Sequence, residues 1–134
     1  MKSLAKTYLI NAPLEKVWDA LINPETIEEW GGGPAVMNAE PGFEFTLWGG
    51  EVFGKNLTVK PNEELTQEWY GGEWKEPSLV SFKLKEVNPS AGSGQAGQTE
   101  LTLFHERIPD DEAKSIDEGW DLYYLGPIKN LLES

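Results

Sequence analysis

The sequence predicts an α+β domain in which a curved antiparallel sheet of about six to seven strands wraps a long C-terminal helix. Three observations carry that expectation. Apolar residues alternate along several short segments separated by glycine-containing turns, the period of half-buried strands. The closing segment changes to a recurrence of three to four residues, the period of an amphipathic helix. Helices fall only near the start and at the end, so hairpin-linked strands between them favour an antiparallel sheet with the last helix as its cover.

Leu4 to Ile10 reads as the first strand. Asn11-Ala12-Pro13 then starts a helix, with a cap candidate and a proline placed where its missing N–H costs nothing. Leu14, Val17, Trp18 and Leu21 form the apolar stripe of that helix. Asn23-Pro24 ends it and opens a second short helix through Thr26 to Trp30, which Gly31-Gly32-Gly33-Pro34 breaks. Val36 to Ala39, Phe43 to Trp48 and Glu51 to Lys60 are expected as three strands, with turns at Pro41-Gly42 and Gly49-Gly50. Three more strands carry inward rows: Leu65, Gln67 and Trp69; Val80, Phe82 and Leu84; Leu101, Leu103 and His105. Pro109-Asp110-Asp111-Glu112 places acids in the first turn of the last helix, where they complement its dipole. Ala113, Ile116, Trp120, Tyr124, Ile128 and Leu131 form its stripe, and Gly126-Pro127 is expected to kink or restart it.

The 134 residues suit a single domain spanning 1–134. The absence of cysteine fits a reducing cytoplasm, and no stretch resembles a signal peptide or a membrane span. Asn56-Leu57-Thr58 spells a glycosylation acceptor, which without secretion is read as chance. A formal charge of −12 repels phosphate backbones and anionic lipid heads, arguing against nucleic acid and membrane surfaces as partners. It leaves a basic protein partner or an uncharged small ligand.

Few motifs carry chemistry. Gly92 to Gly97 spells G-x-G-x-x-G, but the strand Thr99 to Leu103 follows it where a dinucleotide site needs a helix N-terminus. It reads as a hairpin tip, and no cofactor is expected. One histidine and no cysteine argue against zinc and against a recognisable nucleophile–histidine pair. His105 shares a strand face with Leu101 and Leu103, so it is expected to look inward, as a structural group or as one that meets a ligand or moves a proton. The strongest signal is aromatic. Six Trp, four Tyr and five Phe are many for this length. Trp30, Phe43, Phe45, Trp69, Trp74, Phe82, Trp120, Tyr123 and Tyr124 come from elements that should converge on the last helix, as core or as the wall of a pocket for flat apolar molecules.

Ile10-Asn11-Ala12-Pro13 followed by Val17-Trp18 resembles the opening of the START-like (SRPBCC) superfamily. Trp30, Gly54, Trp69, Trp74, Thr99-Glu100-Leu101, Ile108-Pro109 and the run Gly119 to Tyr124 make the chain similar, along its whole length, to the C-terminal domain of activators of the heat-shock-protein-90 ATPase. The resemblance implies a helix-grip (START/Bet v-like) fold with a cavity between sheet and helix. It further implies lipid, hormone or polyketide ligands in some members, and binding and stimulation of the chaperone in activator-type members. The separate N-terminal domain of such activators has no counterpart in these residues, and the resemblance supplies no catalytic set.

The resulting expectation is a cytoplasmic, non-catalytic binding domain, monomeric or homodimeric, taking a hydrophobic or aromatic small molecule. Its cavity residues are Trp69, Trp74, Phe82, Leu101, Leu103, His105, Trp120 and Tyr124. The alternatives are a chaperone-associated protein that binds a heat-shock protein 90 homologue, and a cyclase or dehydratase using His105.

Overall fold

The computed structural model describes residues 2–71, 76–87 and 98–133. The strand β1 (Lys2–Ile10) is followed by helices α1 (Leu14–Ile22) and α2 (Pro24–Trp30). A meander then runs through β2 (Glu44–Leu47), β3 (Val52–Lys60), β4 (Glu64–Gly71), β5 (Ser78–Val87) and β6 (Gln98–Ile108). The closing helix comprises α3 (Ala113–Gly119), a π turn (Trp120–Tyr124) and α4 (Leu125–Glu133). Among the described residues these six strands form one antiparallel sheet, ordered β1-β6-β5-β4-β3-β2. The first strand therefore pairs with the last, Tyr8 opposite Leu101 and Lys6 opposite Leu103.

The inward rows lie where strand periodicity puts them. Leu65 stands opposite Phe82, and Phe82 opposite Leu103, so one layer of buried side chains crosses three strands. Each such side chain contributes about 1.5–3 kcal/mol through removal from water. The closing helix lies over these rows and buries Trp120, Tyr124, Leu125 and Ile128. Val17, Trp18, Ala20 and Leu21 of α1 and Ile27 and Trp30 of α2 extend the same core. Asn23 caps α2, its side chain accepting from the Glu25 N–H at 3.0 Å, with Pro24 in the first turn.

Two elements differ from expectation. Val36 to Ala39 is not a strand; only Val36 makes a bridge, to Thr46. The carbonyls of Asn38 and Glu40 are taken by the amide of Asn56, at 2.9 and 3.1 Å, in place of a ladder partner. Asn56 is fully buried at this task beside a bulge in β3, which leaves no room for a glycan. The irregularity in the closing helix falls one turn before Gly126-Pro127. There the Leu125 N–H bonds the Trp120 carbonyl, five residues back. Pro127 has no N–H for the Tyr123 carbonyl and its ring crowds that carbonyl, so the disturbance falls on the preceding turn. Gly126 fits this geometry because a Cβ there would lie 2.0 Å from the Asp121 carbonyl oxygen.

Candidate functional site

Three tryptophans meet at one end of the sheet, each held by its own polar anchor. Trp69 projects inward from β4 and donates its indole N–H to Gln67 Oε1 at 2.7 Å. Gln67, fully buried, donates in turn to Asn56 Oδ1 at 2.9 Å. Trp120, on the π turn, donates its indole N–H to His105 Nδ1 at 3.0 Å. Because Nδ1 accepts, the imidazole proton sits on Nε2 and is donated to Ser78 Oγ at 2.8 Å. Ser78 passes the chain on to the Trp69 carbonyl at 3.2 Å. Burial lowers the His105 pKa from the usual 6.5 to about 4, so the ring is neutral at pH 7.

Trp48 follows β2 in a 3-10 turn with φ at +50°, a left-handed conformation that is costly for a bulky side chain. The glycine loop after α2 holds it there. Its backbone N–H bonds the Gly32 carbonyl at 2.8 Å, and its indole N–H bonds the Gly31 carbonyl at 2.9 Å. Tyr124 packs between these groups, with ring centroids 4.6 Å from Trp30, 4.8 Å from Trp120 and 5.6 Å from Phe82. Its buried hydroxyl has no hydrogen-bond partner among the described residues, and burial pushes its pKa up.

A cleft of about 500 Å³ opens between these side chains, where β4 ends, β3 begins and the closing helix crosses. Trp48, Trp69, Trp120, Tyr123 and Tyr124 form its aromatic walls, Val52 and Ile116 its aliphatic part, and Glu51, Glu112 and Ser115 also line it. Tyr123 is 64% exposed and its neighbour Leu122 62%, so an apolar surface continues outside. The outer side of the π turn is tied to the edge strand. Asp121 accepts from the Tyr8 hydroxyl and from Lys6 Nζ, the latter at 3.0 Å, and Lys6 also pairs with Asp117. The Tyr8 hydrogen bond, more than the lysine, holds the Asp121 carboxyl below the usual carboxylate range.

Of the residues assigned to a cavity from sequence, Trp69, His105, Trp120 and Tyr124 line the cleft together. Phe82, Leu101 and Leu103 lie deeper, in the packed core beneath the helix, where Trp69, Phe82, Trp120 and Tyr124 fill the space ring against ring. Trp74 lies outside the described residues, as does the Gly92 to Gly97 motif. Sequence reasoning missed Trp48, Val52 and Ile116 as lining groups, although Trp48-Gly49-Gly50 between two strands signals an aromatic side chain at a tight turn. Among the described residues no three His, Cys, Asp or Glu side chains group as metal ligands, and no helix is long and apolar enough to cross a membrane.

The arrangement has known relatives. Several curated proteins align along nearly all of this chain. Mouse "Activator of 90 kDa heat shock protein ATPase homolog 2" is 26% identical over 98% of it, and human "Activator of 90 kDa heat shock protein ATPase homolog 1" is 24% identical over 95%. The chain spans only 38% and 35% of their lengths. Among solved structures, an HSP90 activator from Plasmodium falciparum superposes with a TM-score of 0.86 at 21% identity, covering 99% of this chain and 97% of that one. An Aha1 dimer from Colwellia psychrerythraea superposes with a TM-score of 0.80 at 20% identity, covering 99% and 97%. At such identities the superpositions speak for the fold. The family described as "Activator of Hsp90 ATPase homolog 1-like protein" matches residues 11–133, nearly the full length of the strands and helices that build the cleft, and the chain belongs to it.

Proposed function

We propose that this domain is a non-catalytic binding module whose aromatic cleft takes a hydrophobic small molecule. The observation that carries the reading is the cleft itself. It has about 500 Å³ of space, within the range that receives drug-sized ligands, and its walls are mostly aromatic ring. The indole N–H groups of Trp48, Trp69 and Trp120 are bonded inside the protein, so these walls are fixed before any ligand arrives. The hydrogen bonds of His105 support a structural role. Both ring nitrogens are occupied, one accepting from Trp120 and one donating to Ser78, and neither is left to take a proton from a substrate.

Native mass spectrometry of the protein purified from its own host tests this. An added mass that is released on unfolding, and that is lost in a folded Ile116→Ala, Tyr123→Ala double variant, is the expected result. A bare chain that also fails to take up apolar aromatic probes refutes it.

A second reading, association with a heat-shock protein 90 homologue in the cytoplasm, is favoured by the names of the curated relatives and by the exposed pair Leu122 and Tyr123 beside the cleft. It predicts chaperone binding that weakens with salt and with a Leu122→Ser, Tyr123→Ser double variant. Absence of binding and of any change in ATPase rate at low salt removes it.

A further inference from the structure

We infer that the cleft is built for an organic cation: a flat apolar body carrying an ammonium or pyridinium-type charge. The inference rests on the cleft being a ligand site and adds the charge of what enters it. Three features of the walls point the same way.

First, the indole donors are spent. With the indole N–H groups of Trp48, Trp69 and Trp120 bonded to Gly31, Gln67 and His105, these residues offer the cleft ring carbon and π-electron surface. An anion would find no free indole N–H there, whereas a cation is attracted by the ring quadrupole, most strongly by tryptophan. Tyr123 and Tyr124 add two more rings.

Second, the charged groups are of one sign. Glu51 and Glu112 line the cleft, and among its described lining residues none is Lys or Arg. His105, the one lining imidazole, is neutral and buried behind Trp120. Apolar walls of low dielectric focus the field of the Glu51 carboxylate into the cleft.

Third, the formal charge of −12 extends the same bias beyond the cleft and favours the approach of cations over anions. A neutral aromatic molecule would satisfy the shape but use neither the carboxylates nor the quadrupoles.

The test is a comparison of three probes of one size, 1-methylquinolinium, its neutral isostere 1-methylnaphthalene, and 1-naphthalenesulfonate, in about 150 mM salt to screen the general surface field. Isothermal titration gives affinities, and amide and indole N–H resonances locate the site. The expected result is that the cation binds about tenfold tighter than the isostere and the sulfonate does not bind. Glu51→Gln should weaken the cation about threefold, a rim-charge effect, and leave the isostere unchanged. Glu51 is exposed, so that variant keeps its fold.

Equal or tighter binding of the isostere overturns the inference while leaving the cleft as a ligand site. Cation-induced shifts spread over the acidic exterior, in place of the Ile116 to Tyr124 segment, overturn it too. If no probe moves any cleft resonance, the ligand-site reading falls with it.

Discussion

Protonation of His105 should cost the folded state about 3 kcal/mol, and the single histidine makes the effect measurable without ambiguity. Burial lowers its folded pKa to about 4 against 6.5 in an unfolded chain. At about 1.36 kcal/mol per pH unit, that gap amounts to roughly 3 kcal/mol. Between these two values the unfolded chain binds the proton and the folded chain does not. Stability contributed by the neutral ring is therefore complete above pH 6.5 and falls away as pH drops toward 4. The structural reason is the direction of the relay. A proton on Nδ1 would face the Trp120 N–H, donor against donor, and among the described residues the ring's hydrogen-bond partners are Trp120 and Ser78, neither of them a carboxylate. The assay is urea unfolding of the wild type and of His105→Gln from pH 7.5 to 4. Using the difference between the two proteins removes the common titration of the many acids. The wild type should lose about 3 kcal/mol relative to the variant across that range, and the His105 Cε1–H resonance should titrate near pH 4. Titration near 6.5 in the folded protein, or a difference that stays flat with pH, refutes the reasoning.

Three other variants probe the same construction. Gly54→Ala places a Cβ 1.8 Å from the Glu68 carbonyl oxygen, backbone that cannot step aside, and should destabilise by about 1–3 kcal/mol or more in thermal unfolding. Gly126→Ala sets a Cβ 2.0 Å from the Asp121 carbonyl oxygen. The π turn must rearrange, and the indole N–H resonance of Trp120 should move, with that of Trp30, whose ring packs on Tyr124, while that of Trp18 stays in place. Tyr124→Phe removes a buried hydroxyl with no partner among the described residues. It should be neutral or stabilising by up to about 1 kcal/mol in urea unfolding, and a clear loss of stability would mean that the hydroxyl is bonded.

Much of the fold was legible because its period is strict. Leu65-Gln67-Trp69, Val80-Phe82-Leu84 and Leu101-Leu103-His105 alternate cleanly, and each row is buried as its spacing demands. Where local pattern competes with a distant side chain, the pattern loses. Val36 to Ala39 alternates like a strand, but Asn56 takes the Asn38 and Glu40 carbonyls from well along the chain, a competition that spacing does not record. The π turn was half legible. Gly126-Pro127 marks a disturbed helix, but the displaced carbonyl belongs to the turn before it.

The candidate site was less legible because period reports the face of a residue and not its depth. Phe82 and Trp69 face the same side of the sheet, yet one is core and the other is wall, a difference set by where the closing helix crosses. The same limit explains why the anchors were invisible. His105 reaches Ser78, 27 positions away, and Trp120, 15 away, and neither separation has any local signature. Those anchors decide what kind of cleft this is. A tryptophan with a free N–H offers a ligand a donor and can reorient to give it, whereas Trp48, Trp69 and Trp120 are each held by a different network. Walls fixed in this way lose little side-chain freedom when a ligand enters, so more of the contact energy remains as affinity. They also fix selectivity: a ligand must suit ring surface and carboxylates as it finds them, because the indole N–H groups are already bonded to the protein.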